Sequence, residues 1–152
     1  MKLRIATALL TFSLLSPSFA NAEEALANKY SDDEIIQFFK DDGYSAVTKI
    51  KDGVIKVKVD GRTYILFNKY DGDLQAYYGA SGVKLSFEDI SEWNRTKRLS
   101  RAYLDSENEP ILESDLLANG GLTREHVTEF FRVFVDISVD GFRKFIITHD
   151  KS

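Results

Sequence analysis

Cysteine is missing from all 152 residues, and that one absence removes disulfides, thiol nucleophiles, thiolate metal sites and iron–sulfur clusters together. The chain must therefore hold itself together through an apolar core. Histidine occurs only at positions 126 and 149, too far apart for a paired-imidazole ligand spacing, and both are expected in structural or surface roles. No H-E-x-x-H, nucleophile elbow, P-loop or dinucleotide glycine fingerprint is present. Acids outnumber bases 24 to 20, so the chain lacks the basic surface that nucleic-acid binding requires. No apolar run approaches the roughly 20 residues of a bilayer span.

What the N-terminus does contain is an export pattern. Lys2 and Arg4 precede the apolar run Ile5 to Leu15, Ser16 and Pro17 interrupt it, and Ala20-Asn21-Ala22 offers small residues at both positions read by a signal peptidase. The expectation is a signal peptide over residues 1–22, cleavage after Ala22, a periplasmic or secreted location, and no membrane segment in the mature chain. Losing Lys2 and Arg4 takes the net charge from −4 to about −6. Residues 23–30 are expected as a flexible tail and residues 31–152 as one domain.

Within that domain Ser31 and Glu34 have the spacing of a capping box, opening a helix whose apolar positions are Ile35, Phe38 and Phe39 and whose exit is Asp42-Gly43. Asp52-Gly53 and Asp60-Gly61 are hairpin turns separating runs of strand character, and Tyr70-Asp71-Gly72 marks a third turn. Two-residue turns set Ile50 opposite Ile55, Thr48 opposite Val57 and Ala46 opposite Val59, then Val57 opposite Tyr64 and Ile55 opposite Leu66. The other face then carries Val47, Lys49, Lys56, Lys58, Ile65 and Phe67. Ser86 caps a second helix with Phe87, Ile90 and Trp93 on one face and Lys97 and Arg98 in its last turn. A second hairpin follows, with Ser106 to Pro110 as its loop and Arg101 facing Asp115. Thr123 opens the longest helix, apolar over a wide arc from Val127 to Ile146, where Ser138 and Gly141 leave a notch and Gly141 is a candidate for bending or ending the helix. The order αββββαββα predicts an α+β domain: a four-stranded antiparallel meander plus a hairpin, packed with three helices.

Two clusters invite a chemical reading. Asp105, Glu107, Glu109, Glu113 and Asp115 gather around the second hairpin, but their spacing has neither the ligand order nor the glycine of a calcium loop, and a solvated acidic turn is the plain reading. Asn94-Arg95-Thr96 matches the glycosylation pattern and is taken as chance. The other cluster is Trp93 with Arg95, Lys97, Arg98 and Arg101. Tryptophan and arginine are enriched at binding hot spots, so Trp93, Arg95, Arg98 and Arg101 are candidate protein contacts, joined by Ile65 and Phe67 on the mixed sheet face. A core position for Trp93 and a helix-dipole role for the cations are the competing readings.

At this segment the sequence resembles the YbjN-like family of bacterial proteins. The likeness is carried by Asp89-Ile90-Ser91-Glu92-Trp93-Asn94, by Arg98-Leu99-Ser100-Arg101-Ala102-Tyr103-Leu104-Asp105 and by Leu112-Glu113-Ser114-Asp115-Leu116, with weaker agreement at Asp52-Gly53, from Val57 to Gly61 and at Gly121-Leu122-Thr123. The resemblance implies a fold like that of type III secretion chaperones and a role in sensory transduction or stress-linked regulation, with no catalytic residues to carry over. The export signal departs from the cytoplasmic chaperones of that fold.

The expected function is thus an exported, non-enzymatic regulatory domain that contacts another protein, possessing no cofactor or metal and capable of forming a homodimer. The alternative is a periplasmic small-ligand binder or weak hydrolase built from the acidic hairpin and the adjacent arginines.

Overall fold

The computed structural model describes residues 26–152; the expected signal peptide and cleavage site lie outside the described residues. Each helix start is built as the sequence anticipates. Ser31 caps α1 (Asp32–Asp41), Ser86 caps α2 (Phe87–Thr96) and Thr123 caps α3 (Arg124–Val133). In each case the third helical residue reciprocates: Glu34, Asp89 and His126 accept from the backbone N–H of their caps. His126 therefore fills a capping place usually held by a carboxylate or amide. Gly43, at φ +98°, supplies the left-handed exit from α1.

Six strands, β1 (Ala46–Lys51), β2 (Val54–Val59), β3 (Arg62–Asn68), β4 (Leu74–Gly79), β5 (Arg101–Leu104) and β6 (Pro110–Leu116), form one antiparallel sheet in the order β1-β2-β3-β4-β6-β5. The second hairpin thus extends the meander rather than standing apart from it. The β2–β3 register is the expected one, with Val57 opposite Tyr64 and Ile55 opposite Leu66. Asp60 and Gly61 both take positive φ there, as a primed two-residue turn demands.

The β1–β2 register is not the expected one. Val47, rather than Thr48, pairs with Val57, and the pairing slips between Lys49 and Lys51. Only Gly53 of the Asp52-Gly53 pair has positive φ, so the turn does not close as the primed type and Ile50 becomes the extra residue of a bulge. A one-residue slip exchanges the two faces of a strand. Val47 accordingly enters the core at 4% exposure while Ile50 is 54% exposed, the reverse of the assignment made from turn spacing.

Lys49 moves with Val47 to the helix side. There its ammonium pairs with Asp32 at 3.2 Å. The buried Asp32 carboxylate also accepts from the Gly53 N–H at 2.9 Å and the Asn68 side-chain amide at 2.8 Å, tying the start of α1 to two strands. Burial alone would raise the Asp32 pKa, but the Gly53, Asn68 and Lys49 donors together hold it below its ordinary value.

Residues 26–30, expected as part of a loose tail, are tied down at several points. Ala27 bridges to Leu122, and the Tyr30 hydroxyl donates to the Leu122 carbonyl at 2.8 Å.

The last helix is continuous from residue 124 to 149, but residues Phe134–Val139 are wound as a π-helix between α3 and α4 (Asp140–His149). Gly141, a candidate terminator by composition, lies inside α4. Its face meets Trp93, and a Cβ built there would stand 3.6 Å from Trp93 Cη2, an ordinary contact. The helices cover the sheet face bearing Val47, Ile55, Val57, Tyr64, Leu66, Ala76, Tyr78 and Leu112.

Gly141→Ala is expected to raise stability by about 0.5–1 kcal/mol in urea unfolding, because it removes helix-interior glycine without a clash. Asp32→Ala is expected to cost about 1–3 kcal/mol by leaving the part-buried Gly53 N–H and one Asn68 amide N–H without their acceptor. Acid should act the same way on the native protein. The folded-state pKa of Asp32 lies below 3.8, so its stabilisation is complete above that value and is lost as the pH falls through the lowered one. The stability of Asp32→Ala, measured by urea unfolding followed by circular dichroism, should therefore depend less steeply on pH below about 4 than that of the native protein.

Candidate protein-contact face

The sheet's outer face is a ladder of matched positions. One row runs Lys56, Ile65, Tyr77, Glu113, Arg101 across five strands, and the next runs Val54, Phe67, Gln75, Asp115. Ile65, Phe67 and Tyr77 are half-buried, screened by one another and by lysine. The Phe67 and Tyr77 rings meet edge-on at 6.1 Å, and Lys69 Nζ lies 4.8 Å from the Phe67 centroid. Ile111, two positions from Glu113 on the same face, is buried against the bare backbone of Gly79. The centre is apolar and aromatic, with Lys56 and Lys58 on one flank and Arg101 and Tyr103 on the other.

The second hairpin is shifted by two residues from its expected register, so Arg101 faces Glu113 rather than Asp115. A two-residue shift keeps every side chain on its face. Glu113 is buried and fully engaged: Arg101 donates to Oε2 through Nε at 3.2 Å and Nη2 at 2.9 Å, and the Tyr103 hydroxyl donates to Oε1 at 2.8 Å. Burial of the phenol, then the Glu113 carboxylate, push the Tyr103 pKa up to about 12. A carboxylate so held orients an arginine and a tyrosine at the surface. The remaining acids do not converge on it. Asp105 Oδ1 closes the hairpin loop by accepting from the Glu107 and Glu109 N–H groups. Asp115 lines a hollow of about 400 Å³ with Arg101, Leu99, Ser100, Phe130 and Phe134, where it is the only carboxylate. Among the described residues no group of three or more His, Asp or Glu side chains is placed to hold a metal ion.

The structure divides the predicted contact residues. Ile65, Phe67 and Arg101 share the outer sheet face. Arg95 is exposed on α2, and Arg98 is exposed beyond it, because α2 ends at Thr96 and Lys97 is already extended. Trp93 is 1% exposed and belongs to the core, wedged edge-on against Phe142 at 4.9 Å and Phe145 at 5.5 Å. The Phe87 position is corrected in the opposite sense: expected on the inner face, it is 72% exposed. Sequence reasoning missed Tyr77 and, although the hairpin pattern puts Tyr103 near Glu113, did not offer Tyr103 as a contact; strand alternation from Ile65 and from Arg101 puts both on the outer face once the registers are known.

Asn94 has a structural task. Its side-chain amide donates to the Ala102 carbonyl at 2.9 Å and its oxygen accepts the Ala102 N–H at 2.8 Å, so it pairs the free edge of β5 as a neighbouring strand would. A glycan on that nitrogen would break the pairing.

Burial raises the pKa of four tyrosines, Tyr44, Tyr64, Tyr77 and Tyr103, and so shapes the behaviour of the fold in alkali. Tyr44 and Tyr103 are both raised from 10 to about 12, Tyr44 by burial and then by Asp136. A raised folded-state pKa gives stability that is complete below the unfolded value and is lost as the pH climbs through the folded one. Stability should therefore decline between about pH 10 and 12. Tyr103→Phe should flatten part of that decline and remove one late phenol from the absorbance titration at alkaline pH.

Among known proteins, the family whose model matches residues 31–146 is YbjN, described as "Putative bacterial sensory transduction regulator". No relative among curated proteins matches the sequence. Solved structures that share the fold include two of known identity. The Yersinia pestis type III secretion chaperone SycH, solved in complex with a stable fragment of YscM2, is 20% identical with a TM-score of 0.52, over 72% of this chain and 98% of that one. YbjN from E. coli, described as a "putative transcription regulator", is 18% identical with a TM-score of 0.55, over 71% of this chain and 84% of that one. With the family match spanning most of the domain, the chain belongs to the YbjN family.

Proposed function

We propose that this protein is an exported regulatory domain that works by binding another protein through the outer face of its sheet. The observation that carries the reading is the row Lys56–Ile65–Tyr77–Glu113–Arg101, an apolar, aromatic centre flanked by cations on a face that the helices leave uncovered. Aromatic and arginine side chains held rigid by their neighbours lose little entropy on contact and dominate protein interfaces. The family's description as a transduction regulator supports a role in relaying state through partners, and SycH, which shares the fold, is solved in complex with a stable fragment of YscM2. The hydrolase reading finds little support, since Glu113 is engaged by two donors and Asp115 has no second acid in its hollow.

The partner works outside the cytoplasm on this reading, because residues 1–22 have the pattern of a cleaved export signal. Protein purified from periplasmic or culture fractions should begin at Glu23; recovery only of the Met1 form in the cytoplasm would reject export.

The contact face is tested by placing a photo-crosslinking amino acid at Phe67 and, as control, at Glu125 on the exposed side of α3. A discrete adduct is expected from position 67 alone, and Thr63→Arg, a bulky change at an exposed outer-face position, should abolish it without altering the melting curve. An adduct of twice the chain mass would identify the partner as a second copy. Adducts from position 125 and none from 67 would reject this face.

A further inference from the structure

The opposite end of α2 carries a second feature that the sheet face does not explain. A cavity of about 640 Å³, of the size that holds a ligand group, opens between the loop leading into α2 and the β5–β6 turn. Val83, Leu85 and Leu104 form its apolar lining, and Phe87 stands at its rim, 72% exposed at the first position of the helix. Leaving so large an apolar ring in water is unfavourable, by about 25 cal/mol per Å² of apolar surface. The charges around it are three carboxylates, Glu88, Glu107 and Glu109, against one ammonium, Lys84.

Both walls are braced. The Lys84 N–H donates to Asp150 Oδ1 at 2.9 Å, its carbonyl accepts from the Lys151 N–H at 3.1 Å, and the Lys151 ammonium holds Asp89 at 2.7 Å. Opposite, Asp105 fixes the turn, and the Ser81 hydroxyl joins the walls by donating to Glu109 at 2.9 Å. The cavity is therefore formed before anything binds. Lys151 is committed to Asp89, which leaves Lys84 as the single cation facing three acids.

We propose that this cavity binds a basic, apolar peptide segment. An aliphatic or aromatic side chain seats against Leu85, Leu104 and Phe87, and flanking lysines or arginines reach Glu88 and Glu107. The charge pattern selects a cationic occupant, while the apolar floor and the exposed Phe87 ring select one with a greasy side chain between its cations. The site is separate from the sheet's outer face and does not depend on that face binding anything.

The test is fluorescence anisotropy of the full chain with a fluorescein-labelled peptide, Lys-Leu-Phe-Lys-Leu-Lys, and its acidic counterpart, Glu-Leu-Phe-Glu-Leu-Glu. Saturable binding is expected for the basic peptide only. Phe87→Ser and Glu107→Lys, both at exposed positions, should each weaken it by about tenfold or more, whereas Thr63→Arg on the sheet face should leave it unchanged. Binding of both peptides alike, no saturable binding of the basic one, unchanged affinity in the two cavity variants, or loss with Thr63→Arg would each overturn the proposal.

Discussion

Aromatic packing between the helices and one face of the sheet is the constraint from which the remaining structure follows. With no disulfide available, apolar burial must stabilise the domain, and it does so through two groups of rings. Phe39 stacks on Phe131 at 4.6 Å, with Tyr44 and Tyr64 edge-on to Phe131, which joins α1 and α3 over the meander. Trp93, Phe142 and Phe145 join α2 to α4, and His149 extends that group by stacking on Phe145 at 3.9 Å. Because all helices are committed to this face, the other face of the sheet is left to its own side chains. Its half-buried aromatics are a consequence of that one-sided cover.

Local signals in the sequence translated well wherever one residue type has one physical use. The Ser31, Ser86 and Thr123 caps, the Gly43 exit and the Asp60-Gly61 turn are all legible because the backbone there needs a particular acceptor or a positive φ. Register was less legible. Asp52-Gly53 fits two turn geometries that differ by one residue, and the choice is made by tertiary contacts: the slipped register buries Val47 and brings Lys49 to Asp32. Neither benefit is visible within the hairpin itself. The π-helical stretch Phe134–Val139 left no compositional mark, since no proline or glycine lies within it.

The site residues show the same limit in another form. Residue type offered Trp93 as a contact, with a core position as the competing reading, and put Phe87 on the inner face; the structure buries Trp93 and exposes Phe87. Spacing does not decide the matter, since Phe87 and Ile90 are three apart just as Ile90 and Trp93 are; position does, because Phe87 is the first helical residue and lines the cavity beside the β5–β6 turn while Ile90 and Trp93 are buried. Tryptophan is a frequent interface residue, but it also has the most area to bury, and a core lacking bonds across it uses that area first. The cations beside Trp93 were therefore separated by geometry. Arg101 alone, set by strand alternation, reached the outer face, where it donates to Glu113, whose other oxygen accepts from Tyr103.

That separation gives the domain two surfaces of opposite character on a single rigid frame. The sheet face has lysines and an arginine around aromatic side chains; the cavity end has acids around an aliphatic floor. Both are braced by internal hydrogen bonds, so neither needs large rearrangement to bind, and occupancy of one has no evident route to distort the other. A frame of this kind would suit the proposed binding of a polypeptide at each surface better than the relay of a shape change. Between such sites any coupling would come from the partners' charges meeting across the domain, and electrostatic coupling over that span falls off within the roughly 8–10 Å reach set by physiological salt.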